Sequence, residues 1–383
     1  MVSRRESRSA GIAGVLTALT VLALGSAACA PAAGLSAGPP ATGGVPEEQV
    51  PGAALEAAPV VAVSAQAKPS AAAYVLEEIP LALGRGRPHD IGIAPDGSIW
   101  WSAQTGNQIG RYDPATGQFR AWEVPTPASG PHGLAVDRQG IVWITEIEAN
   151  KLARFDPATE QFTEFPMPTP NSRPHTPLVD RAGFVWVTEQ RGNHVARFDP
   201  ASATFQQYAA LTPNANLYGI DLAPDGTIWV AALTGHKLVQ IDPAAGTVRE
   251  YEPPTPRAGP RRPAVDSQGR VWFTEFAGGK LGLYDPRTAA FTEYELPTPD
   301  SQPYAIAVDP WDVVWLTQFR PHQVTRFDPA TGEFAVYPLM AEAGCRTIAS
   351  DPQGVIWCPE SGTEHLARLT PQGTASARAP AAP

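Results

Sequence analysis

Pro131-His132-Gly133-Leu134-Ala135-Val136-Asp137-Arg138-Gln139-Gly140-Ile141-Val142-Trp143-Ile144-Thr145-Glu146 holds two short apolar runs separated by an Asp-x-x-Gly turn. Two further runs follow, Asn150-Lys151-Leu152-Ala153-Arg154-Phe155-Asp156-Pro157 and Phe162-Thr163-Glu164-Phe165-Pro166. Four strand-length runs divided by Gly, Pro and Asp are the content of one four-stranded blade. The Trp of this unit recurs at Trp100, Trp143, Trp186, Trp229, Trp272, Trp315 and Trp357, every 42 or 43 residues. Self-similarity at such a period marks a repeat architecture, in which each unit buries its apolar face only against its neighbours. Seven units predict an all-β fold, a seven-bladed β-propeller of four-stranded blades.

The turns support that reading. Asp96-Gly97 in a shorter form, Asp137 to Gly140 and Asp266 to Gly269 join strand A to strand B, and Asp-Pro-Ala-Thr-Gly at Asp113 and Asp328 joins C to D. In the latter, Pro presets the turn and Gly accepts positive φ. Pro-Thr-Pro segments then lead to the next unit, and 42 Pro and 34 Gly against 3 Met suit short strands rather than long helices. The last unit supplies strands A, B and C from Thr347 to Leu369 but no strand D, whereas Tyr74-Val75-Leu76-Glu77-Glu78-Ile79-Pro80 matches the D pattern of Phe119 to Pro125. The N-terminal strand is therefore expected to complete the seventh blade, which removes open sheet edges.

The propeller is expected over 73–371. Before it, Arg4, Arg5 and Arg8 precede an uncharged stretch from Ser9 to Ala28, the pattern of a signal peptide over 1–28. Ser26-Ala27-Ala28-Cys29 is like a lipobox with Ser where Leu is usual, so a lipid anchor at Cys29, an uncleaved anchor and ordinary cleavage all stay open. Residues 29–72 are rich in Ala, Pro and Gly and read as a linker, and 372–383 read as a similar tail. The chain is expected to be exported, either lipid-anchored at the cell envelope or secreted, and monomeric. Its net charge of −10 repels polyphosphate and argues against nucleic acid as a partner, leaving the membrane reachable only through a lipid anchor. Cys345 and Cys358 both lie in the last repeat, where a bridge and two buried thiols are both open, since a regular hairpin places them diagonally.

Strand A runs down to its turn and strand B climbs back, so the start of A and the end of B share one face. Eleven residues before each Trp stand His89, His132, His175, Tyr218, Arg261, Tyr304 and Arg346, and three after it stand Ala103, Glu146, Glu189, Ala232, Glu275, Gln318 and Glu360. Because A is the innermost strand, both rings are expected around the mouth of the central channel. His194, His236, His322 and His365 fall on B–C turns of that face, which places all seven histidines around one rim. In a regular hairpin His132 opposes Thr145 while Glu146 points to the other side, so each His is expected to find its carboxylate on an adjacent blade. A polar collar satisfying loop backbone is the structural alternative to ligand contact. Arg87, Arg173, Arg261, Arg262 and Arg346 map near the mouth, where they suit an anionic ligand or neutralise the Glu collar. There is no Ser-His-Asp set, no zinc-type Cys/His spacing and no phosphate loop.

The unit Gly-Pro-His-Gly-Leu, Val-Trp-Ile-Thr-Glu, Asn-Lys-Leu-Ala-Arg, Glu-Phe-Pro-Met-Pro-Thr-Pro resembles the repeat of the virginiamycin B lyase family, from about Tyr74 to Leu369 and in each blade. The resemblance implies a seven-bladed propeller that opens a cyclic depsipeptide by elimination at its ester bond, with a magnesium ion and a His general base. A cation held by carboxylates stabilises the enolate formed as a proton leaves next to a carbonyl. The family pattern is a Pro-His in one blade, a Glu-Pro-His in the next and a Glu three residues after the second blade's Trp. His89, His132 and Glu146 match three of these positions, as do His132, His175 and Glu189, whereas the Glu two before the second His is Gly130 in one set and Arg173 in the other. The resemblance thus implies His132 as leading base, His89 or His175 orienting substrate, and Glu146 or Glu189 holding Mg2+. Tyr218, Arg261, Tyr304, Arg346, Glu275 and Glu360 complete the expected ligand-binding rim, for a small molecule or cyclic peptide. The other reading is a non-catalytic propeller that binds a ligand or protein at the cell envelope.

Overall fold

The computed structural model describes residues 68–81 and 86–372; the signal segment, Cys29, the linker as far as 67 and the tail from 373 lie outside them. Within these residues the chain forms seven four-stranded antiparallel sheets. Blade 2 is representative, with strand A at Pro131–Val136, B at Val142–Glu146, C at Lys151–Asp156 and D at Gln161–Pro166. Blade 7 takes Ala349–Ser350, Ile356–Glu360 and His365–Pro371 from the C-terminal end and Tyr74–Pro80 from the N-terminal end. The closing pair runs from Tyr74 opposite Pro371 to Pro80 opposite His365. Pairing distant ends leaves the ring without a free edge at its seam.

The repeated residues account for the local folding. Asp137 Oδ1 accepts the amides of Gln139 and Ile141 at 2.9 Å each, closing the A–B turn, while its Oδ2 accepts the Trp143 indole N–H at 3.1 Å. Gly140 supplies the positive φ of +81° that this turn requires. One Asp thereby fixes both the turn and the Trp rotamer, and Asp180, Asp266 and Asp309 repeat the arrangement with Trp186, Trp272 and Trp315. Each indole then leaves its own blade: Trp100 meets Phe155, Trp143 meets Phe198 and Trp272 meets Phe327, all at 5.8 Å between ring centroids. The core is accordingly a set of clusters lying between adjacent blades, such as Trp100 and Ile109 with Val142, Ile144 and Phe155.

Pro-Thr-Pro is more than a connection. Thr126 gives its amide and hydroxyl to the two oxygens of Glu164 in the following blade at 3.1 and 2.7 Å, and Lys151 Nζ reaches the same carboxylate at 2.6 Å. Thr212 with Glu250 and Thr255 with Glu293 form the same clamp. The last linker residues also lie on the propeller: Lys68 Nζ is 2.6 Å from Asp328 Oδ2, and the Tyr337 hydroxyl donates to the Ala71 carbonyl at 2.6 Å. Cys345 and Cys358 form a disulfide with their Cα atoms 5.8 Å apart. This resolves the open alternative in favour of a bridge. The placement is diagonal, as a hairpin predicts, since Cys345 precedes the short strand A of blade 7 and pairs with Glu360, two residues from Cys358, yet the 5.8 Å Cα separation is within reach of a disulfide.

Candidate functional site

The A–B hairpin is not regular. Pro131 pairs with Glu146 and Leu134 with Ile144, so His132 and Gly133 together face the single residue Thr145. The same register shift occurs in blades 1 through 6. A bulge with two residues against one bends the strand and re-aims a side chain. Here it corrects the expected pairing of His132 with Thr145.

A hydroxyl braces five of the six bulges, whereas blade 4 carries Ala231 at that position and keeps its bulge without one. Thr145 Oγ1 accepts the Gly133 amide and donates to the His175 carbonyl of the next blade, both at 2.8 Å. Thr188 does the same between Thr176 and Tyr218, Thr274 between Arg262 and Tyr304, and Thr317 between Ala305 and Cys345. Ser102 links the Asp90 amide to the His132 carbonyl. These hydroxyls, two residues after the Trp, position the site, and their recurrence was the available signal for them.

The bulges deliver one ring to the mouth. His89, His132, His175, Tyr218, Arg261, Tyr304 and Arg346 all line a cavity of about 650 Å³ there. The imidazoles form a continuous stack, with centroids 3.9 Å apart for His89 and His132, 4.2 Å for His132 and His175, and 3.8 Å for His175 and Tyr218. Burial pushes all three imidazoles below their ordinary pKa, with His132 and His175 driven furthest because neighbouring imidazoles and arginines add to it. His89 differs because its Nδ1 is 3.1 Å from Asp90 Oδ1, which opposes the effect of burial. Its carboxylate therefore comes from the next residue in the same strand, not from an adjacent blade. His132 Nδ1 has no hydrogen-bond partner, and His175 Nδ1 is 2.8 Å from Thr176 Oγ1.

Across the mouth, Arg261 Nη2 donates to the hydroxyls of Tyr218 and Tyr304 at 2.7 and 2.9 Å, and these hydroxyls are 2.6 Å apart. Arg346 Nη1 approaches the Tyr304 hydroxyl at 3.5 Å while its Nε bonds to Ser361. Burial would raise the Tyr304 phenol, but Arg261, Arg262 and Arg346 together hold it below its ordinary value. Arg262 turns the other way, into the channel, where its Nη2 lies 3.1 and 3.2 Å from the two oxygens of Asp90. Arg173 lines the mouth but is paired with Glu148 at 3.1 Å.

The second ring does not reach the mouth. Glu146, Glu189, Glu275 and Glu360 are fully buried and none lines the cavity. Their strand-B positions pair directly with the start of strand C, Glu146 with Lys151 and Glu189 with His194, and the side chains lie under the B–C turns. A Cβ at Gly192 or Gly278 would collide with the carboxylate of Glu189 or Glu275. Glu189 accepts the Gln207 amide at 3.0 and 3.1 Å, within the clamp between blades. Of the outer histidines, only His322 lines the mouth; His194 and His365 are turned back onto the carbonyls of Gly192 and Thr363. His236 does not line it either, so the rim holds four histidines instead of seven.

The residues present do not fit the magnesium that the resemblance implies. Burial, and then the charge of Glu164, push the Glu146 carboxyl up to about 8, and neither Glu146 nor Glu189 lines the cavity that holds the histidines. Gly130 offers no ligand, and Arg173 brings a positive charge to the corresponding position of the other set. His89, Asp90 and His132 have ligand atoms within 4.8 Å of one another, but Arg262 already neutralises Asp90, whose carboxyl it holds at about 2 against the effect of burial.

The virginiamycin B lyase family model matches residues 71–241 and 234–379. Among solved structures, virginiamycin B lyase from Staphylococcus aureus superposes with a TM-score of 0.73 at 25% identity, covering 78% of this chain and 99% of that one. A streptogramin B lyase structure gives a TM-score of 0.73 at 27% identity, covering 78% and 98%. Hydrazine synthase from Kuenenia stuttgartiensis, at 14% identity and a TM-score of 0.63 over 76% and 97%, shares the fold alone. No curated protein matches significantly in sequence. With the family model spanning the whole propeller and two solved lyases alike over nearly their full length, this chain belongs to the virginiamycin B lyase family.

Proposed function

We propose that this chain is an exported lyase of the family's type, opening an ester-containing cyclic peptide or a related metabolite at the channel mouth. The observation that carries the proposal is the stack of His89, His132 and His175 along one side of the mouth cavity, all three held neutral by burial. A neutral imidazole can accept the proton next to a substrate carbonyl. As that proton leaves, its electron pair forms a carbon–carbon double bond, the ester C–O bond at the adjacent carbon breaks, and the departing carboxylate takes the negative charge. The opened product is an isomer of the ring. The contact with Asp90 makes His89 the better base, because burial alone leaves His132 and His175 weaker proton acceptors. Arg261 across the mouth and Arg346 in the blade next to His89 line the same cavity, where they can stabilise charge developing on the enolate and the leaving carboxylate. The disulfide supports an oxidising compartment and hence export.

The non-catalytic reading, a binding propeller at the envelope, draws on the same geometry through the enclosed carboxylates of Glu146 and Glu189. Incubation with a streptogramin B, followed by mass spectrometry and NMR, separates the two. Turnover gives a product of unchanged mass with a new alkene signal, abolished in His89→Ala and independent of magnesium. Intact substrate with and without magnesium would leave binding as the function.

A further inference from the structure

The charge of the channel is arranged in two layers with opposite accounting. In the lower layer Arg262 is bonded to both oxygens of Asp90, so that pair is self-neutral. In the upper layer Arg261 and Arg346 converge on the Tyr304 hydroxyl, and no carboxylate lies within ion-pairing distance of either among the described residues. Arg261 Nε is buried with no hydrogen-bond partner. The guanidinium of Arg261 is fixed instead by aromatic faces, 3.8 Å from the Tyr304 ring centroid and 4.4 Å from those of Tyr218 and Phe276. Glu342 lines the mouth cavity without pairing with either, and two converging arginines with no paired carboxylate are costly to hold together. They are all the more conspicuous in a chain with 38 acidic against 28 basic residues. A preorganised, partly desolvated guanidinium pair is what recognition of an oxyanion uses.

We infer that the mouth is a binding site for an organic anion, its oxyanion held by Arg261 and Arg346 beside the Tyr304 hydroxyl and its apolar body resting on Phe319 and Leu233, which line the same cavity. The inference concerns equilibrium binding and stands apart from turnover, so loss of lyase activity does not decide it. Carboxylates and phosphate esters share the required chemistry, and a carboxylate fits the two-guanidinium seat by its flat, bidentate geometry.

Isothermal titration calorimetry on the full chain with benzoate, benzamide and phenyl phosphate tests it. Benzoate should bind at least tenfold more tightly than benzamide, its neutral isostere, and more weakly as salt is raised. Arg346→Ala should weaken benzoate at least tenfold, Arg346→Lys should keep part of the affinity, and Arg138→Ala, on an A–B turn at the opposite end of the blade, should change nothing. Tighter binding of phenyl phosphate than benzoate supports the anion site and assigns it to phosphate esters. Equal affinity for benzoate and benzamide, no binding of either anion, or benzoate affinity untouched by Arg346→Ala would overturn it. Arg346→Gln serves in place of the alanine variant should that one fail to fold.

Discussion

Two rings of repeat positions lie at the same end of the blades and meet different fates. The ring eleven residues before each Trp lines the cavity of the channel mouth, and its members are His, Tyr or Arg around the circle. The ring three residues after each Trp is sealed beneath the B–C turns, and four of its members are Glu. The cause is the bulge at His132-Gly133 and its counterparts, which turns strand A's side chains into the channel while strand B's remain between blades. Periodicity alone therefore does not tell a site from a wall. If the comparison is right, changes in the wall should act on stability, and changes in the mouth on binding.

The largest effect is expected from the wall. Trp186 is fully buried, donates to Asp180 and packs across the blade boundary. Trp186→Ala should cost about 3–5 kcal/mol in urea unfolding while leaving benzoate affinity within twofold in the folded protein. A loss of affinity in step with stability would join the two rings that the comparison separates.

Glu146→Gln sharpens it through pH. Burial first and Glu164 second raise this carboxyl to about 8, above its ordinary value of 4.5. A raised carboxyl contributes stability that is fully present below the unfolded value and is lost as pH rises through the folded one. Gln mimics the protonated form, so variant and wild type should match near pH 4. The variant should gain, by up to on the order of 3 kcal/mol, as pH climbs to 8. Parallel stability curves from pH 4 to 9 would place Glu146 in contact with solvent, as its expected position around the mouth implied.

The repeat, the blade number and the closure by Tyr74–Pro80 were legible in the sequence because each rests on residues whose backbone chemistry is strict, such as Gly140 and the Asp-Pro turns. The mouth ring was legible because distance from Trp along an innermost strand is insensitive to one extra residue. The orientation of Glu146 was not, since one bulged residue decides which side a strand faces. Nor was the pairing of Cys345 with Cys358, since a hairpin predicts their diagonal placement but not the 5.8 Å Cα separation that a disulfide spans. The Thr of Val-Trp-Ile-Thr-Glu carried the missing signal, because a hydroxyl recurring at a buried position two residues after the Trp needs partners.

That Thr joins the two regions, so its removal should disturb both moderately. In Thr145→Val the shape is kept, but the Gly133 amide and the His175 carbonyl lose their partner. Leaving such groups unpaired costs about 1–3 kcal/mol. Chemical denaturation should show that loss, and the His175 imidazole resonances should shift in NMR spectra. Unchanged His175 signals would mean that the bulge holds itself without the hydroxyl.

The smallest effect on stability is expected in the mouth, at His132→Phe. His132 lies between His89 and His175 in the stack, so an aromatic ring must remain to fill its place. Its buried Nδ1 has no hydrogen-bond partner, and an unsatisfied buried polar atom is itself a cost. Phe keeps the ring contacts and removes that atom, so the melting temperature should stay the same or rise by a few degrees. A residue kept at a cost to stability is the mark of a functional position rather than a packing one. Ligand binding or turnover should therefore fall while stability does not. A drop in melting temperature of ten degrees or more with binding intact would make the imidazole stack a structural collar, and the mouth ring a second wall.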